Sequence, residues 1–130
     1  MLAPSIVFVD LETTGANPAF DRIIEVGIVK VTGGRVEYEW STLVDPGESI
    51  PPLIQGFTGI SNEMVRGAPA FRDIADEVFA RIEGSLFVAH NARFDYGFLK
   101  NEFKRLGIVF RAPVLCTVKL SRLLYPEHHR

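Results

Sequence analysis

Ser5-Ile6-Val7-Phe8-Val9-Asp10-Leu11-Glu12-Thr13-Thr14-Gly15 is the stretch whose reading decides the fold. Residues 5–11 form a β-branched and apolar run without polar alternation, the pattern of a strand covered on both faces and therefore central in its sheet. The run ends abruptly in polar residues and a glycine. Asp10 and Glu12 are separated by one residue on an extended segment, so their side chains point to the same side of the strand end. Two like charges beside a core are costly unless a raised pKa, a basic partner or a divalent cation relieves them. The first basic residue that follows is Arg22. Donors that are all oxygen favour Mg²⁺ or Mn²⁺ over Zn²⁺. A bare Asp-x-Glu is otherwise a solvated strand end, so the context has to decide.

Outward from this strand, residues 23–31 read as a second strand, Gly33-Gly34 as a hairpin turn and residues 35–43 as a third strand with alternating Tyr38, Trp40 and Thr42. An antiparallel meander is expected. Residues 45–52, rich in turn formers, read as loop, followed by short helical pieces around residues 56–60 and 61–65, the second capped by Ser61. Phe71, Ile74, Ala75, Val78, Phe79 and Ile82 fall on one face of a helix over residues 70–82, with Gly84 at its C-terminal cap. Residues 86–90 read as another buried strand. Phe94, Phe98, Leu99, Phe103 and Leu106 define a second amphipathic helix that ends at Gly107. Residues 114–116 form a short strand, and a last helix is expected from Thr117 to about Tyr125, where Pro126 stops it. The class is α/β, a meander followed by parallel strands and helices.

Composition narrows the function classes. At 130 residues and 47% hydrophobic, the chain has material for one domain with a real core. The single cysteine, Cys116, cannot form an internal disulfide, and zinc-ligand spacing is absent. The apolar runs are too short to cross a bilayer, and the N-terminus lacks signal-peptide features, which points to a cytoplasmic protein without membrane contact. A net charge of −2 counts against binding duplex DNA by surface electrostatics. It allows an enzyme that grips a few terminal nucleotides while cations cancel its own carboxylates.

The second constellation is His90-Asn91-Ala92-Arg93-Phe94-Asp95, again at a strand exit and entering a helix. Asp95 falls in the first turn, where the helix dipole is expected to keep its carboxylate ionised. Asn91 or Asp95 acting as a plain helix cap is the competing reading. Ligands in open α/β sheets gather beyond the carboxyl ends of strands, so acids distant in sequence can converge there.

Phe8-Val9-Asp10-Leu11-Glu12-Thr13-Thr14-Gly15 and Val88-Ala89-His90-Asn91-Ala92-Arg93-Phe94-Asp95 resemble the first and second motifs of the DnaQ-like, or DEDD, exonucleases, the group that includes the proofreading epsilon subunit of bacterial DNA polymerase III. Gly59-Ile60-Ser61-Asn62-Glu63-Met64-Val65 and Gly67-Ala68-Pro69-Ala70-Phe71 are similar to the segment between them, and the likeness covers residues 5–125. The resemblance implies an RNase H-like mixed sheet with helices on both faces and hydrolysis of nucleotides from a 3′ end. Asp10, Glu12 and Asp95 become three of four metal-binding acids for two Mg²⁺ or Mn²⁺ ions about 4 Å apart. Thr13, Ile60, His90 and Phe94 become the contacts to the terminal nucleotide. The partner it implies is a single-stranded 3′ end of DNA, with RNA not distinguished, and a DNA polymerase subunit is the candidate protein partner.

The family's third motif, with its general base and fourth acid, has no counterpart before Arg130. His128 and His129 read as a polar tail. Residues 1–130 are accordingly expected to be a single exonuclease domain that stops short of that motif. The competing reading is a non-catalytic module of the same fold that binds nucleic-acid ends or a polymerase partner. Lys100, Lys104 and Arg105, with Lys119 and Arg122, read as solvated helix faces, with guidance of a strand backbone as the alternative.

Overall fold

The computed structural model describes residues 4–116. Five strands form one mixed sheet: β1 (Ser5–Thr13), β2 (Ile23–Thr32), β3 (Arg35–Leu43), β4 (Leu86–Ala89) and β5 (Val114–Cys116), in the order β3-β2-β1-β4-β5. β1 is central, as its unbroken apolar run requires. It pairs antiparallel with β2 and parallel with β4, and β4 pairs parallel with β5. The β2–β3 hairpin turns through Gly33 and Gly34, both at positive φ, where side chains other than glycine are disfavoured.

The meander and both parallel strands match the expectation, and β1 runs two residues further than expected, to Thr13. The larger difference is α1 (Pro52–Thr58), where the pair Pro51-Pro52 had suggested that loop continues. Proline is compatible with the first helical position because that N–H has no partner inside the helix. Gly59, at φ 73°, ends α1. The short α2 (Asn62–Val65) starts as expected, with the Ser61 hydroxyl accepting from the Met64 amide.

α3 (Phe71–Ile82) and α4 (Ala92–Arg105) pack on the same face of the sheet, against Val7, Val9 and Leu11 of β1. The two helices meet through Phe103, whose ring lies 5.3 Å from Phe71 and 5.6 Å from Phe79 between centroids, both edge-on. Edge-on aromatic contacts of this kind add about 0.5–1.5 kcal/mol each beyond burial. A smaller aliphatic cluster of Ile24, Ile50, Ile60 and Val65 fixes α1 and α2 to the start of β2. The helix expected from Thr117 lies outside the described residues, as do Lys119, Arg122, His128 and His129.

The opposite face of β1 carries Phe8, which is 44% exposed in mid-strand. Phe8, Val29 and Val88 border a groove of about 650 Å³ that runs up to Asp10 and His90. No helix among the described residues is long and apolar enough to cross a membrane.

Candidate active site

The site arises where the sheet splits. β1 pairs with β4 only from Ile6 to Phe8, so beyond Val88 the two strands part and the last residues of β1 have no neighbour on that side. The chain leaves β4 at His90, turns, and enters α4, which brings Asp95 against the unpaired edge of β1. The Leu11 N–H, released from strand pairing, hydrogen-bonds the Asp95 carboxyl. Asp10 and Glu12 flank that amide on the same strand. The three acids converge at the carboxyl ends of adjacent parallel strands, the place where open α/β sheets collect ligands.

Their electrostatics differ from what helix position alone suggests. Asp95 is 7% exposed, and its carboxyl is pushed up to about 7 by burial first, then by Asp10 and Glu12, against a smaller lowering from the Leu11 amide. The expectation that the dipole of α4 keeps Asp95 readily ionised is therefore corrected. Desolvation together with two facing carboxylates outweighs a terminal dipole worth about 0.3–1 kcal/mol. Glu12 is also raised, by burial first and then by Asp10 and Glu25. Asn91 precedes α4 without a side-chain capping bond, which removes the simple capping explanation for this segment.

Among the described residues, no group of three or more His, Cys, Asp or Glu side chains is placed so that it could hold a metal ion without rearrangement. Yet Asp10 and Glu12 stand close enough to Asp95 for their charges to add to the effect of burial on its carboxyl. The donor set of hard oxygens suits Mg²⁺ or Mn²⁺, and a cation would relieve the accumulated charge.

The remaining candidates divide. His90 is exposed at the mouth of the split, and its carbonyl accepts a bond from Cys116 Sγ at 3.4 Å. Phe94 is half-buried, its ring 4.7 Å from Phe98, and packs against the edge of the main core. The Thr13 hydroxyl donates to the Gly15 carbonyl at 2.6 Å, and the residue is 7% exposed and paired with Ile23 of β2. Ile60 is 4% exposed and packs with Ile24, Ile50 and Val65 rather than standing out toward the acids.

Sequence reasoning missed the polar connections behind the acids. Glu102, fully buried on α4, accepts a forked pair of bonds from Arg22. Its one signal was placement seven residues after Asp95 amid Phe98, Leu99 and Phe103, a charged residue on an apolar stripe. Arg105 had been read as part of a solvated or strand-guiding face. It instead pairs with Glu102 at 3.1 Å and donates to the carbonyls of Pro18 and Ala19. Glu48, in the loop after β3, accepts from the Thr14 hydroxyl at 3.1 Å.

A mixed sheet split beside three convergent carboxylates defines the class: an α/β domain of the RNase H-like exonuclease type. The exonuclease family profile, RNase_T, matches residues 7–130. The chain belongs to this exonuclease family, and its likeness to the DnaQ-like group is borne out. It is 43% identical over 124 residues to 3′-5′ exonuclease DinG of Bacillus subtilis (strain 168), covering 92% of this chain and 13% of that protein. It is 41% identical over 122 residues to the PolC-type DNA polymerase III of Clostridium perfringens (strain 13 / Type A), covering 94% of this chain and 8% of that one. The solved structure of exonuclease X in complex with 5′ overhanging duplex DNA superposes with a TM-score of 0.75 at 29% identity, covering 93% of this chain and 64% of that chain. The chain thus spans only about a tenth of the length of these two curated relatives.

Proposed function

We propose that this chain is the exonuclease domain of a 3′→5′ nuclease that removes nucleotides from single-stranded DNA ends in proofreading or repair, with Asp10, Glu12 and Asp95 holding two Mg²⁺ or Mn²⁺ ions. The observation that carries this reading is the Asp95 carboxyl, buried and facing two further acids at the point where β1 and β4 part. A structural role does not account for it, because an aspartate placed there for stability would have a cation or a set of donors, as Glu102 does.

Two bound ions would supply an activated water and stabilise the leaving 3′ oxygen. The chain's own groups do the rest. Asp10 and Glu12 present oxygens on one side of β1, and Asp95 closes the pocket from α4, its orientation held by the Leu11 amide. The Thr13 backbone and His90 border the opening where a terminal nucleotide would enter, and Phe94 lines its wall. Ile60, packed with Ile24 at the start of β2, would meet the terminal base only if that cluster opens. The names of the relatives, a 3′-5′ exonuclease and a replicative polymerase, support a DNA substrate and association with a polymerase or repair protein in the cytoplasm.

The test is incubation with a 5′-labelled single strand and Mg²⁺ or Mn²⁺. A ladder that shortens from the 3′ end and is abolished by Asp10→Ala supports the proposal. Tight strand binding without shortening, together with no Asp95-dependent binding of Mn²⁺, replaces it with a non-catalytic nucleic-acid-binding module.

A further inference from the structure

α4 carries two acids on one buried stripe. Asp95 and Glu102 are seven residues apart, two helical turns, so both face inward. At the Asp95 end the neighbours are Asp10 and Glu12, with the Leu11 amide as donor. At the other end Glu102, 1% exposed, accepts from Arg22 Nε at 3.0 and 3.1 Å and from Arg22 Nη2 at 2.9 Å. It also accepts the Ile23 amide at 3.3 Å and pairs with Arg105 at 3.1 Å.

Arg22 in turn grips the segment that follows Glu12. Its amide donates to the Thr14 hydroxyl at 2.9 Å, and its carbonyl accepts the Thr14 amide at 2.8 Å. Arg105 holds the intervening loop through the carbonyls of Pro18 and Ala19 at 3.2 and 3.1 Å. A continuous bridge therefore runs from α4 through Glu102 and Arg22 to Thr14, two residues from Glu12. The two chain segments that carry the acids are thus tied together two helical turns away on the same face of α4.

We propose that the Arg22–Glu102 pair positions the carboxylate site, holding α4 and hence Asp95 against the end of β1. This rests on the reading of Asp10, Glu12 and Asp95 as the ion-holding set. Glu102 and Arg22 are positioning residues, since neither touches the reacting atoms. A merely structural role predicts something different, because a buried ion pair replaced by apolar side chains of similar volume often costs no stability.

The experiment compares wild type with the double variant Arg22→Met, Glu102→Leu in two measurements. Mn²⁺ affinity is read by calorimetry, and exchange of the Leu11 amide is read by NMR in metal-free protein. The double variant is expected to keep its circular dichroism spectrum while Mn²⁺ affinity falls by about 10- to 100-fold, the range for residues that orient metal ligands. Leu11 exchange should speed up and exchange in β3 should not. Arg22→Lys, which keeps the charge but loses the fork, should fall between. Unchanged Mn²⁺ affinity and unchanged Leu11 exchange in a folded double variant overturn the proposal. Should that variant fail to fold, Glu102→Gln is measured by the same criteria. If wild type binds no Mn²⁺, or Asp95→Asn binds it equally well, the metal reading fails. Leu11 exchange then decides the positioning role alone, supporting it if faster in the variant and overturning it if not.

Discussion

The two ends of the buried face of α4 pose the same problem and solve it differently. Glu102 is an acid taken out of water and given two guanidinium groups and a backbone amide. Asp95 is an acid taken out of water and given two more acids, with one amide to set against them. The first arrangement is complete as it stands. The second is deficient in positive charge, and the deficiency lies where the sheet opens. A buried carboxylate whose neighbours satisfy it reports on folding, and one whose neighbours oppose it marks a candidate site of function.

If the comparison holds, substitutions at the two ends should have opposite signatures. The largest effect is expected on catalysis: Asp95→Ala should lower the rate of 3′ nucleotide release by about a thousandfold or more, since metal-held charge supplies several kcal/mol to the transition state. Single-turnover kinetics on a labelled strand measures this, and a loss below tenfold would remove Asp95 from the site. Next is Glu102→Ala. It strands Arg22 beside the core and should cost about 3–5 kcal/mol of stability in urea titration, as when one partner of a buried pair is removed. A loss under 1 kcal/mol would mean that the pair is effectively solvated.

Adding Mn²⁺ at about a hundred times its dissociation constant should stabilise wild type by roughly 2.7 kcal/mol and leave Asp95→Ala unmoved. Calorimetric melting with and without chelator checks it.

A smaller effect carries the clearest sign. The Asp95 carboxyl is raised in the folded protein from the ordinary 3.8 to about 7. Its contribution to stability is therefore full below about pH 4 and is lost progressively as pH rises toward 7. In chelator, Asp95→Asn should melt higher than wild type at pH 8, and the gap should close on going to pH 4. A variant that melts lower than wild type at pH 8 would contradict the charge-deficient reading. The smallest expected effect belongs to a pair far from both ends. Lys30 and Glu37, 3.6 Å apart with Glu37 well exposed, should contribute less than about 1 kcal/mol in a double-mutant cycle.

Much of the fold was legible because its signals are local. The unbroken run of β1, the Gly33-Gly34 turn and the apolar stripe of α3 each follow from periodicity over a few residues. Pro51-Pro52 misled because proline both breaks and begins helices, and only the packing of Ile54 against the Ile24, Ile50, Ile60 and Val65 cluster distinguishes the two. Asp10, Glu12 and Asp95 could be named from their strand exits, but the state of Asp95 could not. Its dipole environment is a property of α4 alone, whereas its burial and its facing acids are set by where β1 and β4 part. Glu102 and Arg105 looked like a helix's ordinary charges, because their partners, Arg22 and the carbonyls of Pro18 and Ala19, lie about 80 residues earlier.

By itself the sequence determined which segments extend, which coil, and where acids sit on each, since backbone preference and side-chain periodicity act between near neighbours. Tertiary structure decided which acids share a field. Coulombic and desolvation energies depend on separation in space and on the water that packing removes, and the chain order carries neither. That is why two carboxylates seven residues apart on one helix have opposite fates.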